Sequence, residues 1–206
     1  MPAAAPSLYL ASRSPRRQDL LRQLGVDFEM LRLREAAGRP HDVIELALDD
    51  EPALHYVERI ARTKTTIGAQ LMLRRGLPPL PVLGADTEVV LDGAIFGKPR
   101  DATDAARMLA LLSNRTHHVS TAVAISHGDE VLAEIATTAV TFRELTRGEI
   151  DRYVATGESS DKAGAYAIQG RAAAFVSRLE GSYSGVMGLP LFETAQLLAR
   201  IGVAVL

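Results

Sequence analysis

Apolar residues along the chain keep two rhythms, a helical one near 3.6 and a strand one near two, and each change of rhythm predicts an element. The run Leu8-Tyr9-Leu10-Ala11 reads as a short buried strand over residues 7–11. A helix follows over 16–24, with Leu20, Leu21 and Leu24 on one face, Pro15 suited to its first turn and Gly25 to its stop. Residues 27–52 are charged and read as irregular. The helical period returns over 52–73, where Leu54, Val57, Ile60, Ala61 and Ile67 are the expected core positions. A Pro-rich connection at 76–81 leads through Gly84-Ala85-Asp86-Thr87 to a strand at 88–91, and Asp92-Gly93 signals a hairpin back through 94–96. A helix over 103–112, capped by Asp101 or Thr103, precedes a long antiparallel pair at 118–126 and 131–142. Further helices are expected at 146–156 and 191–201, separated by a Gly-rich stretch, 157–188. No internal repeat or low-complexity tract interrupts the pattern.

Composition narrows the class. With 206 residues, 47% apolar and 23% charged, the chain has the make-up of a folded globular protein, and one compact domain over residues 1–206 with room for two lobes is expected. The formal charge of −2 supplies no global basic field, so a nucleic-acid polymer is excluded as partner and phosphate affinity must come from local Arg and Lys clusters. Cysteine is absent, which removes disulfides, thiolate metal sites and a Cys nucleophile. The apolar run at 8–11 is too short for a signal sequence, and no stretch approaches the ~20 apolar residues of a membrane span. The expected location is the cytoplasm, without a membrane partner.

Three segments carry more charge and glycine than packing requires: 11–17, 84–87 with 97–99, and 161–170. Arg16 and Arg17 fall in the first turn of a helix, where cations are disfavoured unless an anion joins them. Together with Ser12, Ser14 and free backbone N–H groups they describe either a phosphate socket or a solvated basic turn. Asp86 stands at a strand boundary, where a carboxylate can hold a divalent cation, polarise a water or merely close a turn. Glu45 is a second acid among apolar neighbours. Lys98 and Lys162 sit beside flexible backbone and suit phosphate oxygens as well as solvent, Arg59 and Lys64 are the notable cations of the long helix, and Gln169 can both donate to and accept from a base edge. The five histidines, 41, 55, 117, 118 and 127, have no metal-binding spacing; His117 and His118 suit local packing. No G-x-S-x-G, Walker A or dinucleotide fingerprint is present.

In order and spacing these segments resemble the three signature blocks of the Maf family of nucleoside triphosphate pyrophosphatases, once described as septum-formation inhibitors. The blocks are Leu8-Tyr9-Leu10-Ala11-Ser12-x-Ser14-Pro15-Arg16-Arg17, Gly84-Ala85-Asp86-Thr87 through Gly97-Lys98-Pro99, and Asp161-Lys162-Ala163-Gly164-Ala165-Tyr166 through Ile168-Gln169-Gly170. Tyr56-Val57-x-Arg59-Ile60-Ala61-x-x-Lys64, Leu112-Ser113-x-Arg115-Thr116-His117 and Gly188-Leu189-Pro190-Leu191 match further segments, the last two read as packing. The resemblance implies an α/β fold with a mixed, elongated sheet flanked by helices and two lobes around a cleft. It implies that Ser12, Arg16, Arg17, Lys64 and Lys98 contact the triphosphate; Lys162 joins them as a candidate substrate contact on its own setting. Asp86 becomes the general base, Asp86 and Glu45 hold Mg²⁺ or Mn²⁺, and Arg16, Thr87 and Gln169 govern substrate choice. The third block is similar to the branch acting on dTTP, UTP and related pyrimidine nucleotides rather than on 7-methyl-GTP. In Glu158-Ser159-Ser160 the chain departs from the more usual Glu-Pro pattern. A homodimer is a further implication, and a nucleotide-sensing regulator of cell division is the competing function.

Overall fold

Local sequence rules account for most of the elements in the computed structural model, which describes residues 6–34 and 42–205. His41 and the outermost chain-end residues fall outside the described part. Strand β1 is Leu8–Leu10 and helix α1 Pro15–Gln23, with Ser14 as cap and Pro15 opening the first turn. Gly25, just past the helix, takes a φ of 69°, the left-handed stop expected of glycine. The stretch read as irregular contains strand β2, Phe28–Met30, paired in parallel with β1 from Leu8 opposite Phe28 to Leu10 opposite Met30. Three residues held by a non-local partner leave no periodic trace, which is why the pattern misses them.

Helix α2 is Ala53–Arg74 and buries Tyr56, Val57, Ile60, Ala61, Thr65, Gly68 and Met72. Leu54, expected in the core, is 46% exposed, because it lies off that stripe in the first turn. Strand β3, Val82–Leu91, starts well before the expected position, so Asp86 lies inside a strand rather than at its boundary. Asp92 and Gly93 both have positive φ, the signature of a tight hairpin, and β4 follows at Ala94–Phe96 with Val89 opposite Phe96. Helix α3, Ala102–Leu112, is capped by Asp101, whose carboxylate accepts the Asp104 N–H at 2.8 Å. Strands β5, Thr116–His127, and β6, Glu130–Phe142, form the expected long hairpin. Helix α4, Arg147–Val154, begins with a capping box of Thr146 and Glu149. The Gly-rich stretch holds two 3-10 turns, a strand β7 at Val176–Glu180 and a short helix α5 at Tyr183–Met187, and α6 closes the fold at Leu191–Arg200. Strand β7 leaves no more periodic trace than β2, because its register is set by β6, with Val140 opposite Leu179.

The strands form one seven-stranded mixed sheet in the order β2-β1-β3-β5-β6-β7, with β4 on β3. The chain divides into two compact units built from interleaved segments. The first comprises the described residues of Met1–Asp86, Thr121–Ile135 and Gly188–Leu206. There the inner face of α2, through Val57 and Ala61, packs on Ala122 and Ala124 of β5 and on Val131, Ala133 and Ile135 of β6. The second, Thr87–Ser120 with Ala136–Met187, has an aromatic core in which Phe142 meets His117, Tyr166 and Phe175 edge-on at 4.9–6.0 Å.

Candidate active site

The first unit gathers charge at the start of α1. The Ser14 hydroxyl accepts the Arg17 N–H at 3.4 Å, and Ser12 Oγ accepts the Ser14 N–H at 3.2 Å, so both serines help to shape the turn. That turn carries Arg16 and Arg17 and no acid of its own. The Arg17 guanidinium donates through Nε to the Gly188 carbonyl at 2.7 Å and through Nη1 to Ser12 Oγ at 3.4 Å. Burial pulls its pKa below the ordinary arginine value, Arg16 adds to the fall, and the carboxylates of Asp86 and Glu45 oppose it. The guanidinium is thus within electrostatic reach of both acids. Gly188, read from sequence as a packing residue, supplies the carbonyl that aims this side chain.

At the centre is Lys64. Its Nζ lies 2.6 Å from Glu45 Oε1 and 2.7 Å from Asp86 Oδ1, with the Lys64 and Asp86 side chains only 12% and 10% exposed. Three features bring the trio together. Asp86 projects from the interior of β3. Helix α2 approaches that strand so closely at Gly84 that a Cβ there would stand 2.6 Å from Thr65 Oγ1 and 3.0 Å from the Ala61 carbonyl, and Thr65 is the neighbour of Lys64. The segment bearing Glu45 is fastened by Arg59, which donates to the Leu46 carbonyl at 3.0 Å and forms a bidentate pair with Glu51 at 2.6 Å, Glu51 in turn accepting the Leu48 N–H. Arg59 draws the Glu51 carboxyl down to about 2.

The chemistry of this donor set suits a hard divalent cation. Two carboxylates converge on one positive charge, and Mg²⁺ commonly takes one or two protein carboxylates together with water and substrate phosphate oxygens. Among the described residues there is no cluster of three or more His, Cys, Asp or Glu side chains placed to cage a metal alone, so the remaining ligands would come from the substrate and water.

In the second unit, Lys98 is exposed beside Gly97, whose carbonyl accepts the Gly164 N–H at 3.2 Å and so joins the two loops that carry Lys98 and Lys162. Lys162 is ion-paired with Asp161. Gly164 has a φ of 67°, and a Cβ on it would meet Val89 at 2.9 Å, so both backbone and space demand glycine. Thr87, next after Asp86 on β3, belongs to this unit. Gln169 is exposed between the buried Ile168 and Gly170. His117, fully buried, shares a 2.8 Å hydrogen bond through Nε2 with the Tyr166 hydroxyl, as local packing was expected to require. Burial, with a smaller push from His118, lowers its pKa to about 4, so it is neutral near pH 7.

Two arginines in the first turn of α1 and a lysine shared by two carboxylates are the groups that a small polyanion and its cation would need. The model of Maf-like proteins matches residues 7–201, and the chain belongs to this Maf family. It is 55% identical over 198 residues to a dTTP/UTP pyrophosphatase of Nitrosospira multiformis, covering 96% of each chain. A dTTP/UTP pyrophosphatase of Aromatoleum aromaticum is 55% identical over 196 residues, 95% of each chain, and one of Nitrosomonas europaea is 52% identical over 202 residues, 98% of each. No described helix is long and apolar enough to cross a membrane.

Proposed function

We propose that the protein is a nucleoside triphosphate pyrophosphatase that hydrolyses dTTP, UTP and related pyrimidine nucleotides to the monophosphate and pyrophosphate. The observation that carries this reading is the Asp86–Lys64–Glu45 cluster beside Arg17, in a chain about half identical, over nearly its whole length, to proteins named for that activity. The names of those relatives favour the pyrimidine branch over 7-methyl-GTP. The whole chain acts as one Maf domain, in the cytoplasm, where its substrates are made; a homodimer rests on the family resemblance alone.

A triphosphate brings about four negative charges, and a protein can approach it only with matching cations. Ser12, Arg16, Arg17, Lys64, Lys98 and Lys162 are assigned to its oxygens. Asp86 and Glu45 would hold Mg²⁺ or Mn²⁺, which supplies charge neutralisation and acidifies a water. Asp86 accepts the proton of a water as its oxygen bonds to the α-phosphorus. The bond from the α-phosphorus to the bridging oxygen breaks, and pyrophosphate departs with that electron pair. Arg16, Thr87 and Gln169 are assigned to substrate choice.

Incubation with UTP and Mg²⁺ should release one pyrophosphate per UMP, and Asp86→Asn should lower kcat about a thousandfold, as loss of a general base does, with nucleotide affinity largely kept. A nucleotide-sensing regulator of division would bind UTP without releasing pyrophosphate, and that outcome would replace the enzyme reading.

A further inference from the structure

Gln169 stands at the third position of a tight turn closed by the Gly170 N–H donating to the Ala167 carbonyl at 3.0 Å. Two side chains from elsewhere grip this turn on both flanks. On one side the Ala167 N–H donates to the Tyr153 hydroxyl at 3.1 Å. On the other, the Arg171 N–H donates to Glu158 Oε2 at 3.3 Å. The two grips are tied to each other, because the Tyr153 hydroxyl donates to Glu158 Oε1 at 2.9 Å. Tyr153 is buried at the end of α4 and packs edge-on against Phe175 at 5.2 Å, which fixes its hydroxyl. Burial, more than the Glu158 carboxylate beside it, pushes the Tyr153 phenol above its ordinary value, so it stays a donor over the working pH range. The carboxylate also fills the space over Gly170, where a Cβ would lie 2.3 Å from Glu158 Oε1.

We propose that Glu158 and Tyr153 are positioning residues for base selection: together they hold the turn at 167–170 in the shape that presents the Gln169 amide. This rests on the reading of Gln169 as a base-selecting residue. An amide can tell a carbonyl from an amino group on a base edge only if its orientation is fixed, since either end of it can meet either group by rotation. The backbone on both flanks of Gln169 is tethered while its side chain is exposed, so the tethers set where that side chain starts. A loop without them would still let the phosphate chemistry proceed and would lose discrimination between bases.

The test compares kcat/KM for UTP, for CTP, whose base edge carries an amino group and a bare N3 where UTP has a carbonyl and an N3–H, and for ribose 5-triphosphate, which has no base. Glu158→Ala and Tyr153→Phe should each cut the UTP to CTP preference about tenfold and leave ribose 5-triphosphate hydrolysis within twofold. Glu158→Gln keeps one acceptor oxygen and should restore part of the preference. Gly170→Ala gives a route that leaves Glu158 in place: the φ of −104° suits alanine, and the new methyl drives the carboxylate off the turn. It should reproduce the Glu158→Ala pattern, and it decides the matter if Glu158→Ala does not fold. Equal losses on all three substrates would overturn the proposal. So would an unaltered preference in these variants when Gln169→Ala changes it. If Gln169→Ala itself leaves the preference intact, the reading of Gln169 fails first and the positioning role falls with it.

Discussion

The charged cluster of the first unit and the aromatic core of the second treat polar groups in opposite ways. In the first, full charges from four separate segments gather: Lys64 from α2 forms short ion pairs with Glu45 from the loop and Asp86 from β3, and Arg17 from α1 lies within electrostatic reach of both acids. In the second, the polar side chains within the aromatic core are a neutral imidazole and two phenols, and their hydrogen bonds fix loop shape. Charge brought together at low exposure is costly unless a ligand uses it, whereas uncharged side chains that find hydrogen-bond partners in a core are self-sufficient. The first arrangement therefore looks built for a polyanion and its cation, the second for holding a surface still.

The sharpest way to break this comparison is to remove the hub. Lys64→Ala leaves two carboxylates facing each other without their shared cation, and kcat/KM for UTP should fall about a hundredfold, some 2.7 kcal/mol of transition-state stabilisation. Its melting temperature in metal-free buffer should fall by about 8 °C, the scale of an uncompensated ion pair in a chain of this size, and Mg²⁺ should recover more of that loss than it adds to wild type. Equal Mg²⁺ effects on the two proteins would mean that the carboxylates do not bind the cation.

A smaller effect comes from spacing. Gly84→Ala pushes a methyl into Thr65 and the Ala61 carbonyl, so α2 must shift from β3 and take Lys64 away from Asp86. Overpacking of this kind costs about 2 kcal/mol, and activity should drop about tenfold. Unchanged kinetics in a protein of lowered stability would show that the ion-pair geometry tolerates the shift.

The smallest effect at neutral pH belongs to the second unit and appears only in a pH profile. Folded His117 titrates at about 4, below the ordinary 6.5, so between those values the unfolded chain takes up a proton that the folded one refuses. Stability supplied by this site is complete above pH 6.5 and declines as the pH falls to 4, by up to about 3 kcal/mol. Glu51, Asp104 and Glu149, each drawn down to about 2 by arginine partners, lose their contributions in a lower window, as pH falls from the ordinary carboxylate range toward 2. His117→Gln should flatten the slope between pH 6.5 and 4 in thermal melts; an identical slope would place the acid sensitivity elsewhere.

What could be read from the sequence divides along similar lines. The cap and stop of α1, the Asp92-Gly93 hairpin and the long β5–β6 pair are local devices, and the pattern locates them. Strands β2 and β7 owe their existence to partners far away in sequence and left no periodic mark. The pattern puts Asp86 at a strand boundary, whereas β3 runs through it and Gly84 serves the close approach of α2. The resemblance implies Glu45 beside Asp86, but no local rule and no resemblance points to its ion pair with Lys64. The bond from Arg17 to the Gly188 carbonyl joins residues 171 apart and had no signal at all. Tyr153 and Glu158 were equally silent, since a tether to backbone N–H groups asks nothing of the residues it holds.

The central claim is that the Asp86 cluster directs water to the α-phosphorus. Hydrolysis of UTP in water labelled with oxygen-18 tests this directly, by mass spectrometry of both products. The account predicts one labelled oxygen in UMP and none in pyrophosphate; label in the pyrophosphate would mean attack on the β-phosphorus and would contradict it.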